Sequence, residues 1–168
     1  FHCWKEKGHG YVSLNNAMKQ SCDTYFYEVA RILGVDRLKI TADKFGLGKK
    51  VLGEYFENEK AGQFPDTKWK INKLGKGWVL GETLITGIGQ GYTQTTPIQL
   101  CLMTAQIANG GYKIQPKILT DDNQLTSEQV KKAMQDSKSN DFYEPLYDDQ
   151  KNIRIVQEAM FSSTNELM

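Results

Sequence analysis

Two groups of residues near the N-terminus could do chemistry. Ser21-Cys22-Asp23 sets a hydroxyl and a carboxylate two residues apart, so a turn can aim both into one cleft. Such a pair can hold and relay a proton during nucleophilic displacement. Cys3, His9 and Cys22 form the pattern C-x5-H-x12-C. Two thiols and an imidazole are a soft donor set suited to zinc. Gly8 and Gly10 flank His9 and let the backbone bend its ring toward a shared centre. The spacing is not that of a standard zinc finger. A structural site needs a fourth ligand, either upstream of Phe1 or from a nearby carboxylate. Plainer readings stand beside both groups. Asp23 can be a helix N-cap and Ser21 a turn residue. The thiols can be unrelated and the histidine structural.

Helices must position these residues. Ser13 is a suitable N-cap for residues 14–20, and Asp23 for TYFYEVARIL, whose apolar positions 25, 26, 29, 32 and 33 share a face. Gly34 stops that helix, and Asp36 can cap a third, with Leu38, Ala42 and Phe45 on one stripe. Residues 46–81 hold seven of the fifteen glycines and no sustained period, which predicts an irregular excursion with short strands. Lys68, Lys70, Lys73 and Lys76 interleave there with Trp69 and Trp78. This is either a basic-aromatic face for a polyanion or glycan, or a solvated loop with lysine stems lying over anchored tryptophans. TTPIQLCLMTAQIANGG carries the clearest local signal: Thr96 as N-cap, Pro97 at N1, Gln99 closing a capping box, and Asn109-Gly110-Gly111 as the stop. Its apolar residues run nearly all round, which predicts a buried helix with Cys101 as a small core residue. A strand at 112–119, a turn at 120–124, a helix after Thr126, a loop at 137–141 and a last helix at 149–160 follow. Ile153, Val156 and Met160 share one side of that last helix. The expected class is mainly α with minor β.

Composition narrows the function classes. The chain has 168 residues, 39% hydrophobic and 24% charged, enough for one domain with a real core. A net charge of +1 provides no overall field for nucleic acid or an acidic membrane, so no nucleic-acid partner is expected. The longest apolar-rich run, IQLCLMTAQIA, falls short of the roughly 20 residues a membrane span needs. The opening Phe1-His2-Cys3, without an initiator Met, suggests a piece of a longer protein.

The runs CWKEKGHGYVSLNNAMKQSCDTYFYEVARILGVDRL, FGLG, GETLITGIGQGYTQTTPIQL and IANGG, in that order, resemble the penicillin-binding transpeptidases. More narrowly they are similar to the elongation-type class B group that includes penicillin-binding protein 2. WK-x-x-GHG, SCD-x-x-FY-x-x-A and GIGQGY-x-x-x-TPIQ are specific in combination. That family uses three motifs in chain order, S-x-x-K, S-x-N or S-x-D, and K-T-G or K-S-G. Only the middle one occurs here, as Ser21-Cys22-Asp23. The resemblance therefore implies that residues 1–168 are a partial transpeptidase domain, the helical part of a serine β-lactamase-like α/β domain, with both other motifs outside the chain.

It also implies the chemistry. A serine outside the chain attacks the D-Ala-D-Ala carbonyl of a peptidoglycan stem peptide, and a second strand's amine resolves the acyl-enzyme. β-Lactams mimic the donor. Ser21 is expected to hydrogen-bond the motif lysine and help relay the proton, and Asp23 to orient that network. No cofactor serves catalysis, and a zinc at Cys3, His9 and Cys22 is expected to be structural. The implied parent is anchored in the inner membrane, with this domain in the periplasm beside a glycan polymerase of the elongation machinery. The chain alone is expected to be inactive, for want of the nucleophile. GIGQGY lacks the spacing of a phosphate loop and is expected to be a tight turn that packs. Two alternatives remain: a zinc-stabilised helical interaction module without catalysis, and a penicillin-recognising sensor or β-lactamase-like domain. WK-x-x-GHG and GIGQGY argue against the second.

Overall fold

The computed structural model describes residues 1–53, 56–116 and 144–165. Helices dominate. α1 (Leu14–Lys19) starts as expected, with the Ser13 side chain accepting from the Asn16 backbone N–H. α2 spans Asp23–Leu33 and its N-cap is Cys22, so Asp23 is the first helical residue and not the cap. There its charge favours the positive end of the helix dipole without making a capping bond. Gly34 separates α2 from α3 (Val35–Lys44), which places Asp36 inside α3. The Asp36 carboxylate instead accepts from the Thr67 backbone N–H and hydroxyl, each at 3.0 Å, and so ties α3 to the next helix.

The stretch expected to be irregular with short strands contains a helix, α4 (Thr67–Leu74). Asp66 caps it, accepting from the Trp69 N–H at 2.6 Å, and Gly75 ends it in a left-handed conformation. The inward position of α4 is a lysine, and this hid the helical period. Lys70 is 5% exposed and paired with Glu82 of α5 (Leu80–Gly87), at 2.6 Å from Oε2. Trp69 packs on Tyr92 with ring centroids 5.2 Å apart, and the Trp78 indole donates to the Thr83 hydroxyl. Lys68, Lys73 and Lys76 remain exposed, the first two on α4 and not on the loop expected, and with Lys70 buried no four-lysine face exists. The strand content here is one isolated antiparallel bridge, Gln63 with Gln94.

α2 crosses α5 where small residues let the backbones close in. A Cβ added at Gly87 would lie 2.4 Å from the Ala30 Cβ and 3.2 Å from the Phe26 carbonyl oxygen. The buried centre of α2 is therefore Ala30, whereas Ile32, expected on the apolar face, is exposed.

α6 (Pro97–Ala108) has the expected capping box and proline. Its inward face differs from expectation: Gln99, Leu102 and Gln106 are buried, and Cys101 is exposed. The two glutamine amides explain the choice of face. Gln99 Nε2 donates to the carbonyls of Lys49 and Ala61, both at 2.7 Å, and Gln106 Nε2 to that of Phe45. Irregular backbone has carbonyls that need donors, and buried amides supply them. α7 (Lys151–Asn165) buries Ile153, Ala159 and Ser162, with Met160 exposed. It packs on α1, where Ala17 is fully buried and Asn15 donates to the Ser162 hydroxyl. Of the expected strand, Tyr112 forms an isolated bridge with Pro145. Residues 117–119, the turn at 120–124, the helix after Thr126 and the loop at 137–141 lie outside the described residues.

Burial opposes ionisation of Glu82, yet bonds from Lys70, the Val79 N–H and Tyr92 hold its carboxyl below the ordinary range. The contribution of this pair is thus complete at neutral pH and is lost as pH falls through the depressed value. Lys70→Met should cost about 3–5 kcal/mol in denaturant unfolding, because it strands a buried carboxylate. The double variant Lys70→Met/Glu82→Leu should recover most of that loss.

Candidate active-site junction and metal centre

The α1–α2 junction is built from backbone bonds that close on Ser21. Among the described residues, Ser21 is the single non-glycine with positive φ, +49°. That conformation costs an L-residue roughly 1–2 kcal/mol, so the surroundings must enforce it. Ser21 N–H donates to the Met18 carbonyl at 3.2 Å, and Cys22 N–H to that of Ala17 at 2.8 Å. The Trp4 indole N–H spans the carbonyls of Gln20 and Ser21 at 3.0 and 3.1 Å. The N-terminal segment thus clamps the junction from outside. Ser21 is exposed, and Asp23 is half-buried in the first turn of α2. Neither the Ser21 hydroxyl nor the Asp23 carboxylate has a side-chain partner among the described residues.

The second group converges on the same junction. One ligand atom from each of Cys3, His9 and Cys22 lies within 4.8 Å of the others. Cys3 Sγ is 3.2 Å from His9 Nδ1, and Cys22 Sγ is 3.4 Å from the Thr24 hydroxyl. Burial opposes ionisation of the Cys3 thiol. Backbone N–H groups of Lys5, Asp23 and Thr24, with the Cys22 thiol, outweigh it and hold its pKa below the ordinary value.

The donor set fits a tetrahedral zinc. Zinc–sulfur and zinc–nitrogen bond lengths require S···N near 3.6 Å and S···S near 3.8 Å, within reach of small side-chain rotations here. His9 Nε2 is buried without a hydrogen-bond partner, while Nδ1 faces the sulfurs. Gly8 and Gly10 both have positive φ, as bending the chain around His9 requires. No fourth protein ligand joins the group among the described residues.

Sequence reasoning named all five residues, Cys3, His9, Ser21, Cys22 and Asp23, and the structure gathers them at one junction. It missed the clamp by Trp4, whose signal was a tryptophan next to Cys3. It also missed that the start of α2 helps hold the Cys3 thiol below its ordinary pKa. GIGQGY is a turn as expected: Gly89 and Gly91 have positive φ, and Gly91 packs on Ile85 of α5.

Two measurements check the strain at the junction. Ser21→Ala should leave unfolding stability within about 0.5 kcal/mol, because the hydroxyl is exposed. Ser21→Gly should be about 1 kcal/mol more stable than Ser21→Ala, because glycine adopts positive φ without the Cβ clash.

Comparisons with known proteins identify the family. The family described as "Penicillin binding protein transpeptidase domain" matches residues 1–163. Peptidoglycan D,D-transpeptidase MrdA of Acinetobacter baumannii is 40% identical over 119 residues, 71% of this chain and 18% of that protein. The MrdA of Escherichia coli K12 is 38% identical over 116 residues, 69% and 18% respectively. The chain thus spans about a fifth of the length of these curated relatives. Among solved structures, Pseudomonas aeruginosa PBP2 in complex with WCK 5153 superposes with a TM-score of 0.77 at 36% identity, over 96% of this chain and 33% of that one. PBP2 of Helicobacter pylori, in a complex with MreC, gives 0.76 at 29% identity, over 99% and 28%. The strained serine, the capped helices that follow it and the order of the motifs all sit within that match, and the chain belongs to the penicillin-binding protein transpeptidase family.

Proposed function

We propose that residues 1–168 are the middle part of a transpeptidase domain whose parent cross-links peptidoglycan stem peptides through a serine acyl-enzyme. The observation that carries this reading is the Ser21 junction: a hydroxyl displayed on a strained backbone that a clamp and two backbone bonds hold in place. Strain of this kind persists where surroundings enforce it, and it clusters at functional sites. In this reading Ser21 accepts from and donates to a lysine of the S-x-x-K motif supplied by the rest of the parent. It passes a proton toward the leaving amine. Asp23, fixed in the first turn of α2, orients that network. Its negative charge near the lysine favours the protonated ammonium.

β-Lactams are the expected inhibitors, since they acylate the nucleophilic serine of the S-x-x-K motif, which lies in the rest of the parent. The parent is a membrane-anchored enzyme with this domain in the periplasm, beside a glycan polymerase of cell-wall elongation. The support is the family and its named relatives: PBP2 occurs in a complex with MreC, and a further similar structure is described as a peptidoglycan synthase complex that coordinates polymerization and crosslinking. No helix among the described residues is long and apolar enough to cross a membrane, so the anchor is assigned to the rest of the parent.

Cys3, His9 and Cys22 are the proposed holders of a structural zinc. The ion supplies a cross-link between the N-terminal segment and the start of α2, which keeps Trp4 over the junction. The alternative, a zinc-stapled interaction module without catalysis, shares this metal but predicts no acylation.

Intact-mass analysis of the parent after incubation with a β-lactam separates the two. A single adduct is expected, and Ser21→Ala should slow its formation by about 10²–10⁴-fold, the range for loss of a proton-transfer group. Absence of any adduct on the unsubstituted parent would favour the interaction module. For the metal, elemental analysis should find one zinc per chain. Chelation should lower the thermal midpoint, and His9→Ala should abolish both zinc and that response.

A further inference from the structure

We propose that the tip formed by the end of α4 and the start of α5 is a docking surface for an anionic lipid membrane. Nine of the ten residues 71–80 are exposed, Trp78 being the exception. Four of them are large and aliphatic: Ile71, Val79 and Leu80 are each 57% exposed, and Leu74 is 43% exposed. Single exposed apolar residues are ordinary, but a contiguous group marks a surface that meets something apolar.

The group is contiguous. Ile71 and Leu74 lie three apart on α4 and so share a face. Lys70 pairs with Glu82, and the Val79 N–H donates to the same carboxylate at 3.0 Å. The chain therefore doubles back after Gly75, which leaves Leu74 and Val79 at one end of the α4–α5 pair. The exposed Phe1 ring comes 3.5 Å from the point a Cβ would take at Gly81 and continues the apolar surface past Leu80. The inward side is already used. Trp69 packs on Tyr92, Trp78 donates to Thr83 and Lys70 is buried in its ion pair, so the tip is held from behind with its aliphatic groups outward.

Charge selects the occupant. Lys68, Lys73 and Lys76 are exposed, and no acidic residue occurs from Thr67 to Gly81. The two acids that bound the segment are engaged, Asp66 in capping α4 and Glu82 with Lys70. The chain's net charge of +1 provides no overall field, but screening over about 8 Å makes the local excess the charge that a nearby surface feels. Aliphatic side chains beside lysines, with tryptophan at their base, suit the boundary between lipid headgroups and acyl chains. A partner helix needs a groove, whereas this tip is exposed residue after residue. Each lysine close to an anionic surface raises partition roughly fivefold, so three raise it on the order of a hundredfold. Contact here would orient the Ser21 junction relative to the bilayer, since α5 packs on α2. The inference does not rest on the transpeptidase reading, and a parent that takes no β-lactam adduct leaves it untouched.

The test uses the full parent with vesicles of phosphatidylcholine alone, or of phosphatidylcholine and phosphatidylglycerol in equal parts. Both carry a trace of phosphatidylcholine with a photoactivatable diazirine in its acyl chain. Cleavage after Glu59 and Glu82 releases residues 60–82 as one peptide. Its share of all lipid label on the parent should be at least about tenfold higher with phosphatidylglycerol. Lys73→Gln/Lys76→Gln should cut that share at least about tenfold, with the thermal midpoint unchanged because both side chains are exposed. Leu74→Ser/Leu80→Ser should lower it with the charge intact. Equal labelling from the two vesicles, or undiminished labelling in either variant, overturns the proposal. Absence of label on residues 60–82 overturns it too, and a cross-link from Lys73 or Lys76 to a second protein in native membranes would then assign the tip to a protein partner.

Discussion

One left-handed residue organises this part of the molecule. Ser21 can hold φ near +49° only while something else opposes the clash between its Cβ and the backbone. Two contacts do so, the Cys22 bond back to α1 and the Trp4 indole across two carbonyls, and the cysteine–histidine cluster lies beside them. Each costs ordering entropy, so none is expected where a simple helix-to-helix turn would serve. The outcome is a hydroxyl presented outward on a backbone that cannot relax.

The helices behind the junction are packed to keep it still. α2 and α5 approach closely at Gly87, where an added Cβ would lie 2.4 Å from that of Ala30. α5 is in turn held at its start by Glu82, whose carboxylate receives Lys70 of α4 and the Val79 N–H. α1 packs on α7, and Ala17 and Ala159 are both fully buried. Close helix contacts through small residues resist sliding better than contacts through long flexible side chains, since no rotamer change can absorb the movement. Buried glutamines play the matching part for irregular backbone. Gln99 alone joins the start of α6 to two separate loop carbonyls.

Much of this was legible from residue types. The capping box at Thr96, the proline after it and the Asn109-Gly110-Gly111 stop bounded α6 correctly, because caps are local and their chemistry lies within four residues. The Ser13 cap was equally readable. α4 was not, because its inward position is a lysine and its partner, Glu82, is twelve residues away. A hydrophobic-period reading cannot foresee a charge that is buried only because a distant charge meets it. Asp36 misled for a related reason: an acid after glycine looks like a cap, but its carboxylate serves Thr67, thirty-one residues on.

The sequence by itself determined the family, the order of the motifs and the five residues that meet at the junction, since those are matters of residue type and spacing. Tertiary structure alone decided that they meet. Nothing in C-x5-H-x12-C specifies that a loop will fold back until Cys3 and His9 lie beside Cys22 at the start of α2. Nor does Ser-Cys-Asp specify that the serine takes the left-handed conformation and that Asp23 enters the helix. Those outcomes rest on contacts between segments remote in sequence, which are set by packing and hydrogen-bond satisfaction across the whole domain.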